Sequence, residues 1–358
     1  MCQLQYNVWL MLSVIVCGIG KSIIMIVLLF QHLGRKDGHL RTMGDAVASF
    51  LEHEDVATRD MCLVTAGQLQ KGGWHGDFEP QLYTGRRLRW YQSTSRKQLY
   101  TTHGLSMFMI ISILICLYFG YNGAHGSAFS NGFGVANIQS LTSFMPDDVG
   151  SSGIVPTAIV ANIPQLAFSV VYLAYNNLFT RMSLAEEFSR FVTRRKGLRV
   201  SEGRSGQQRS TRFLSLPARY GLPLMAYSAL LHWLLSQSLF LVRIDGVFAE
   251  GNVDPEDQLT RLGYSISGVI AVITAMCVGT AIAVMLGVFK RLDGGVGDGS
   301  NSVIISAACH PVRRKGGMQT RRVRWGDITP MEAGEGGVRH AGFDSDEVGE
   351  MRAGAYYA

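Results

Sequence analysis

The fold is decided by the stretch VIVCGIGKSIIMIVLLF, residues 14–30, in which one lysine stands among apolar side chains. Its Gly-Lys-Ser letters suggest a phosphate-binding loop. That loop needs the pattern Gly-x-x-x-x-Gly-Lys-Ser so that a glycine-rich backbone can wrap phosphates, and Ile15 occupies the position of the leading glycine. Residues 7–30 form one apolar run, and a run of about 20 such residues crosses a bilayer. The stretch therefore predicts a membrane-spanning helix.

Four more apolar runs of similar length follow, and charged residues make up only 17% of the chain. Each run is long enough to cross a hydrocarbon core of about 30 Å. The sequence therefore predicts an all-α fold, a polytopic integral membrane helical bundle of about five transmembrane helices with amphipathic cytosolic helices added. The predicted spans are residues 7–30, 104–121, 156–179, 221–242 and 263–289.

The segments between the spans alternate between rich and poor in basic residues, and this alternation predicts the topology. Lys and Arg number ten in residues 31–103, none in 122–155, ten in 180–220, two in 243–262 and ten in 290–358. Basic segments stay in the cytosol during insertion, so the N-terminus (residues 1–30 with the first span) is expected outside and the C-terminus in the cytosol. The plasma membrane is one candidate location.

The net charge of +6 follows from this topology and does not indicate nucleic-acid binding. A nucleic-acid binder gathers its basic residues into one accessible patch, whereas here they are distributed over three segments. The last of these segments, residues 290–358, is rich in glycine and charge and poor in large apolar residues, so it is expected to be mostly disordered. No nucleic-acid partner is expected.

Two cytosolic segments carry helical patterns. In residues 31–103, Met43, Val47, Phe50 and Leu51 recur at helical spacing and predict a short amphipathic helix. In residues 180–220, Ser183 and Glu186 match a capping box at a helix start, and Gly197 offers a stop. This second helix also has an apolar stripe, which is expected to lie on the inner leaflet of the membrane.

Basic residues at the end of the second helix and beyond it are candidates for lipid contact. Each would attract anionic lipid by about 1 kcal/mol near the membrane surface. The alternative is that these charges only keep the loop in the cytosol. The candidate lipid-contacting residues are Arg194, Arg195, Lys196, Arg199, Arg204, Arg209 and Arg212.

Lys21 is the one charged residue inside the predicted spans. It lies ten residues from Gln31 at the cytosolic edge, which is about 15 Å at 1.5 Å per residue and close to the bilayer midplane. Gln165 and His232 lie near the centres of the third and fourth spans. Lys21, Gln165 and His232 therefore form a candidate intramembrane polar site, interpreted either as a solute or proton pathway or as neutral groups that hydrogen-bond helices together.

Small residues recur every four positions along the fifth span. Such a stripe lets another helix approach closely, so the face of Gly279 and Ala283 is a candidate surface for a helix–helix partner. The members of the stripe are Gly263, Ser267, Ala271, Ala275, Gly279, Ala283 and Gly287.

Signatures of enzyme chemistry are absent from the sequence. Neither His-Glu-x-x-His nor Gly-x-Ser-x-Gly occurs, and the predicted spans contain no Asp or Glu. The adjacent pair Cys309 and His310 cannot close a tetrahedral metal site by itself. No catalytic residue, metal site or cofactor is therefore expected, and the protein is predicted not to be an enzyme.

Several longer stretches together resemble a known family. They are GDAVASFLE, RRLRWYQS, NIPQLAFSVVYLAYNNLFTRMSLAEEFSRF, LRVSEGRSGQQRSTRFLSLPARYGLPLM, LLHWLLSQSLFLVRID and SAACHP. The resemblance is to a large family of fungal multi-pass membrane proteins whose members carry an N-terminal domain of unknown function. It implies a membrane location, a fungal source and a chain that corresponds to the C-terminal part of longer members, but no catalytic residue.

Two functions agree with these observations. The first is a structural or signalling membrane component whose basic cytosolic loops face lipid. The alternative is a transporter or channel subunit that uses Lys21, Gln165 and His232 at the midplane.

Overall fold

The computed structural model describes residues 8–33, 40–65, 67–69, 78–123, 132–135, 140–142, 154–201, 204–211, 216–247, 253–294, 299–313, 316–330 and 337–358. The helices are α1 (Val8–Leu33), α2 (Met43–Glu52), α3 (Arg96–Gly123), α4 (Ile154–Thr193), α5 (Ala218–Ser238), α6 (Ile266–Phe289) and α7 (Ser302–Ala307). The strands are β1 (Gln81–Leu82), β2 (Leu88–Arg89), β3 (Leu141–Thr142), β4 (Lys196–Gly197), β5 (Arg199–Val200), β6 (Arg209–Ser210), β7 (Leu239–Val247), β8 (Val253–Tyr264), β9 (Arg291–Leu292), β10 (Arg322–Asp327), β11 (Ala341–Asp344) and β12 (Tyr356–Tyr357).

Within the described ranges, four helices are long and apolar enough to cross a membrane, namely α1, α3, α4 and α6. The sequence predicts five such helices. The fifth predicted span, residues 221–242, falls on α5. This helix contains polar side chains such as His232 and Gln237, and it ends at Ser238, directly before β7. The fold is therefore mostly helical, with strands that an all-α fold would not contain.

Helices α3 to α6 form a bundle with two opposite ends. At one end, the Ser265 N–H before α6 donates to the Ser238 carbonyl at the end of α5, 2.9 Å away. The β7–β8 hairpin and β3 lie at this end, which we call the hairpin end. At the other end, which we call the basal end, Arg219 of α5 and Lys290 after α6 both contact Glu186. Helix α5 therefore runs antiparallel along the whole of α6.

The surface of the bundle carries large apolar side chains. Phe108 of α3 is 66% exposed, Leu166 of α4 is 70% exposed and Phe289 of α6 is 77% exposed. The interior is also apolar, with Phe168 and Met276 buried. Contiguous exposed apolar surface of this kind is rare on soluble proteins and is typical of a face that contacts lipid.

The small-residue face of α6 is occupied by α5. The Tyr227 hydroxyl donates to the Ala275 carbonyl, 2.9 Å away, and a Cβ added at Gly279 would lie 2.2 Å from that hydroxyl oxygen. Ala283 is buried as well. The face of α6 that the sequence predicts for helix packing therefore packs against α5 of the same chain. The Tyr227 ring covers this face at Gly279.

We expect Gly279→Ala to lower the thermal unfolding midpoint, because the new methyl group overlaps the Tyr227 ring. Overpacking of this kind costs about 1–3 kcal/mol. Gly104→Ala is the matched control, since nothing lies within 4 Å of a Cβ at that position. Adding Tyr227→Ala should make Gly279→Ala harmless. Equal midpoints for the two alanine variants in detergent would contradict the close approach.

Helix α1 stands apart from the bundle. Its described residues are exposed, apart from the partly exposed Gly20, and a Cβ at Gly18 or Gly20 would meet nothing within 4 Å. None of its candidate membrane-crossing window is buried against the rest of the chain. Its apolar side chains therefore have no packing partner among the described residues.

A second core, which we call the α+β domain, lies at the basal end and combines side chains from residues 43–63, 188–200 and 305–357. Strand β10 pairs antiparallel with β11 and with β4. Phe188 lies 5.8 Å from the Trp325 ring and 5.4 Å from the Phe343 ring, centroid to centroid. The prediction that residues 290–358 are mostly disordered is therefore wrong for the described part of that segment. Its few apolar residues complete a core with partners that are distant in sequence.

Helix α2 forms where the apolar spacing predicts it, and it docks on the α+β domain. Thr42 and Asp45 cap its start reciprocally: the Asp45 N–H donates to the Thr42 hydroxyl over 3.1 Å, and the Asp45 carboxylate accepts from the Thr42 N–H over 2.9 Å. Val47 and Leu51 are buried in the same core as Phe343. The predicted amphipathic helix is confirmed.

Helix α4 continues without interruption for 40 residues, about 60 Å. The prediction that a separate helix starts at Ser183 and stops at Gly197 is wrong, since Ser183 is buried inside α4 and Gly197 lies in β4. The apolar stripe expected on the membrane, represented by Phe188 and Phe191, packs in the α+β domain. Both cores therefore contain side chains of α4.

Candidate functional site

The three residues of the predicted polar site are not brought together. His232 Nε2 lies 3.5 Å from Ser169 Oγ, and the Ser169 hydroxyl donates to the Gln165 carbonyl over 3.0 Å. Gln165 and His232 are thus neighbours at the contact between α4 and α5. Lys21 is exposed on α1, away from both. Within the described ranges, the lysine makes no contact with Gln165 or His232.

A different polar network lies inside the bundle. His103 Nδ1 is 3.2 Å from the Tyr175 hydroxyl oxygen, which donates to Thr280 Oγ1 over 3.4 Å, and Ser106 Oγ is 2.9 Å from the same Thr280 oxygen. These neutral contacts join α3, α4 and α6, and each is worth about 0.6 kcal/mol in a membrane. The signal in the sequence is the spacing of His103 and Ser106, which places both on one face of α3.

Among the described residues, a dense cluster of charges surrounds Glu186 at the basal end. Arg190 Nη2 lies 2.5 Å from Glu186 Oε1, and Arg219 Nη2 lies 2.7 Å from the same oxygen. The Lys290 ammonium donates to Glu186 Oε2. Glu186 is only 7% exposed, and we call these four residues the Glu186 cluster. One carboxylate faces three cations, which leaves the cluster with a net charge of +2.

An aromatic wall holds the lysine of the cluster in place. Lys290 Nζ lies 4.0 Å from the Trp90 ring centroid and 4.9 Å from the Tyr220 ring centroid, distances at which a cation is attracted to the ring face. Trp90 is fully buried, and its indole N–H donates to the Met182 carbonyl over 2.6 Å. Trp90 precedes α3, so the cluster and its wall tie together the basal ends of all four bundle helices.

Sequence reasoning missed this cluster because Ser183 and Glu186 also match a local capping box. In the structure Glu186 also contacts Arg219 and Lys290, which are distant in sequence, and the Ser183 hydroxyl has no hydrogen-bond partner among the described residues. The available signal was the position of Glu186 four residues after Met182, on the face of α4 that packs inside the bundle. A carboxylate on an apolar face requires cations supplied from elsewhere.

Three of the seven candidate lipid-contacting residues are used for packing. Arg199 forms a two-pronged pair with Glu187, at 2.9 Å from Nε to Oε1 and 2.7 Å from Nη2 to Oε2. The Arg195 guanidinium donates to the Asp346 carbonyl, and Arg209 Nε donates to the Gly197 carbonyl over 3.3 Å. These arginines therefore hold the α+β domain together.

The other four candidates make no such packing contact among the described residues. Arg194 and Arg204 are exposed, Lys196 is partly buried, and Arg212 lies outside the described residues. Burial lowers the pKa of Lys196, and the positive charges of Arg190, Arg209 and Arg194 lower it further. Arg194 lies two residues before Lys196, and Arg209 Nε donates to the carbonyl of the adjacent Gly197.

A hydroxyl–imidazole–carboxylate chain joins α7 to residues 54–59. Thr58 Oγ1 lies 2.9 Å from His310 Nε2 and 2.7 Å from Ser306 Oγ, and His310 Nδ1 lies 2.9 Å from Glu54 Oε1. Nucleophilic enzymes use this order of groups. Thr58 is fully buried and its hydroxyl also donates to the Asp55 carbonyl, so a substrate has no path to it. These hydrogen bonds therefore connect residues 54–59 to Ser306 and His310 and stabilise the α+β domain.

The Glu54–His310 contact predicts a pH dependence. The hydrogen bond from His310, and after it the one from Arg59, holds the pKa of Glu54 below its ordinary value of 4.5. A lowered folded-state pKa contributes stability that is present above 4.5 and is lost as pH falls through the folded value. We expect Glu54→Gln to lower the unfolding midpoint at neutral pH, and the difference from wild type to shrink on acidification. Glu79→Gln, at an exposed position, is the control. A difference that does not change with pH would contradict the linkage.

No metal site accompanies these clusters. Across the residues for which the structure gives positions, no group of three or more His, Cys, Asp or Glu side chains could hold a metal ion. Cys309 is fully buried, and burial raises the pKa of its thiol well above the ordinary value.

A family model described as Domain of unknown function (DUF8419) matches residues 75–357. This is well over half of the chain. The chain belongs to this family. The DUF8419 match contains α3 to α6, the Glu186 cluster and His310, whereas α1, α2 and Thr58 precede it. No curated protein and no solved structure matches the chain.

Proposed function

We propose that this DUF8419 protein is a non-enzymatic structural or signalling component of a membrane that holds a folded α+β domain at the cytosolic face of the bilayer. The observation that carries the proposal is the continuity of α4. Phe168 and Leu178 of this helix are buried in the bundle, and Phe188 and Phe191 are buried in the α+β domain. A tilt or rotation of α4 in the membrane would therefore move the domain with it.

The proposal places five helices across the bilayer. Helices α1, α3, α4 and α6 have the required length and composition, and α5 lies beside α6 from end to end. Helix α6 has 24 residues, about 36 Å, which exceeds a hydrocarbon core of about 30 Å. The many Lys and Arg in residues 180–220 and 290–358 support a cytosolic basal end, an outer hairpin end and an outer N-terminus.

The transport alternative has less support. It requires Lys21, Gln165 and His232 around one polar cavity, and Lys21 stands on the exposed helix α1. The resemblance to fungal multi-pass membrane proteins agrees with a structural or signalling role in a fungal membrane, with the plasma membrane as one candidate. The proposed partners are the lipid bilayer and its anionic inner-leaflet lipids.

The test is topology labelling of the full chain in cells. Val135 lies at the hairpin end and Ser205 lies beside the α+β domain, and both residues are exposed. Each is replaced with cysteine in a separate variant. We expect a membrane-impermeant maleimide to label Val135→Cys in intact cells, and Ser205→Cys only after permeabilisation, each measured against the wild-type background. The protein should also resist alkaline carbonate extraction. Labelling of both positions from one side, or release by carbonate, would overturn the proposal.

A further inference from the structure

The Glu186 cluster holds more positive charge than its carboxylate neutralises. Arg190 and Arg219 both place Nη2 on the same oxygen, Glu186 Oε1, and their side chains remain 43% and 47% exposed. A guanidinium has five N–H donors, so each arginine keeps donors that face outward from the cluster. Outward-facing donors on excess cations favour binding of a further anion.

Neighbouring cations extend this positive charge along the surface. Arg194 is exposed one turn beyond Arg190, and the positive charges of Arg190, Arg194 and Arg209 act on Lys196. The adjacent carboxylate, Glu187, is held by Arg199 in a two-pronged pair. We call Arg190, Arg194, Lys196 and Arg219 the basal basic patch.

The position of the patch distinguishes a lipid from a soluble anion. Arg219 lies in the first turn of α5, at the level where α6 ends before Lys290, so the patch lies at the end of the apolar bundle. Leu222, three residues after Arg219 and on the same helix face, is 56% exposed. A charged donor therefore lies directly beside outward-facing apolar surface, which matches the headgroup and acyl chain of a phospholipid.

We propose that the basal basic patch binds the phosphate headgroup of an anionic phospholipid of the surrounding bilayer, with Arg219 and Arg190 as its main donors. This inference rests on the proposed membrane placement. It differs from diffuse attraction by the whole 180–220 loop, because Arg195 and Arg199 are used in packing and the donors here lie at the end of the bundle.

The test uses the full chain in nanodiscs of phosphatidylcholine to which phosphatidylglycerol is added, with bound phosphatidylglycerol counted by native mass spectrometry. Attraction of about 1 kcal/mol per basic residue corresponds to about a fivefold loss of apparent affinity, which we expect for Arg219→Gln and for Arg190→Gln. Either variant leaves Glu186 with two cations, so both should fold. Arg219→Lys should retain most of the binding, because the charge is kept.

Arg204→Gln is the matched control, because Arg204 is an exposed arginine of the same loop outside the patch. An equal loss for Arg204→Gln and Arg219→Gln would show diffuse attraction and overturn the site. Wild-type binding by both patch variants would overturn it as well. Displacement of the lipid by millimolar inorganic phosphate would assign the patch to a soluble anion. These outcomes are independent of the labelling test, so a failed lipid site with the expected topology would leave the proposed function in place.

Discussion

Replacing Glu186 with alanine is expected to destabilise the bundle more than any other single change at the basal end. Without the carboxylate, Arg190, Arg219 and Lys290 repel one another beside a buried tryptophan. Removing one partner of a buried ion pair costs about 3–5 kcal/mol, and the partial exposure of the two arginines places this loss toward the lower end of that range. The measurement is the thermal unfolding midpoint of the full chain in nanodiscs, at low and high salt.

Two further variants show whether charge is the cause. Glu350→Ala should have almost no effect, because Glu350 is 92% exposed and lies 3.9 Å from its arginine. The double variant Glu186→Leu with Lys290→Met should be more stable than Glu186→Ala, since an apolar pair replaces an unmatched cation. A midpoint for Glu186→Ala close to that of Glu350→Ala would contradict the structural role of the cluster.

Gly44→Ala is expected to detach α2 from the α+β domain. A Cβ at Gly44 would lie 2.1 Å from the Arg199 carbonyl oxygen and 2.6 Å from the Arg199 backbone nitrogen. That backbone has little freedom to move, because the Thr42 hydroxyl donates to the same carbonyl over 2.6 Å and Glu187 holds the Arg199 side chain. We expect a loss at or above the upper end of the roughly 1–3 kcal/mol typical of overpacking.

The direction of the stability change distinguishes a packed α2 from a free α2. Alanine is favoured over glycine inside a helix by about 1 kcal/mol, so a free α2 would gain stability from Gly44→Ala. Limited proteolysis after residue 52 and the unfolding midpoint of the full chain report the outcome. Gly316→Ala is the control in the same domain, since nothing lies within 4 Å of its Cβ. A stabilised Gly44→Ala variant would contradict the packing of α2 on β5.

Elements whose signal is local were predictable from the sequence. The apolar runs predict α1, α3 and α6, since the length of a run relative to the bilayer needs no knowledge of partners. The spacing of Met43, Val47 and Leu51 predicts α2 for the same reason, because helical periodicity is read within ten residues. The small residues around Gly279 predict a packing face, although the occupant of that face, Tyr227, has no signal near it in the sequence.

Features that join distant segments were not predictable in this way. Phe188 and Phe343 touch across more than 150 residues, and each taken alone is consistent with a membrane-surface helix or a disordered tail. Glu186 shows the same limit, since Ser183 three residues earlier supplies a capping pattern that α4 does not use. The seven candidate lipid-contacting residues were selected by sequence proximity. In the structure, Arg195, Arg199 and Arg209 make hydrogen bonds or ion pairs within the α+β domain.

The amino-acid order alone thus determined that this protein has long apolar helices separated by basic segments, because hydropathy and charge are properties of consecutive residues. Only the tertiary structure decided that the described part of residues 290–358 folds, that α4 contributes to two cores and that three cations meet one carboxylate. The physical reason is that burial and charge pairing depend on which side chains meet in space. The partners of Glu186 come from positions 190, 219 and 290, and a local pattern can indicate at most the nearest of them.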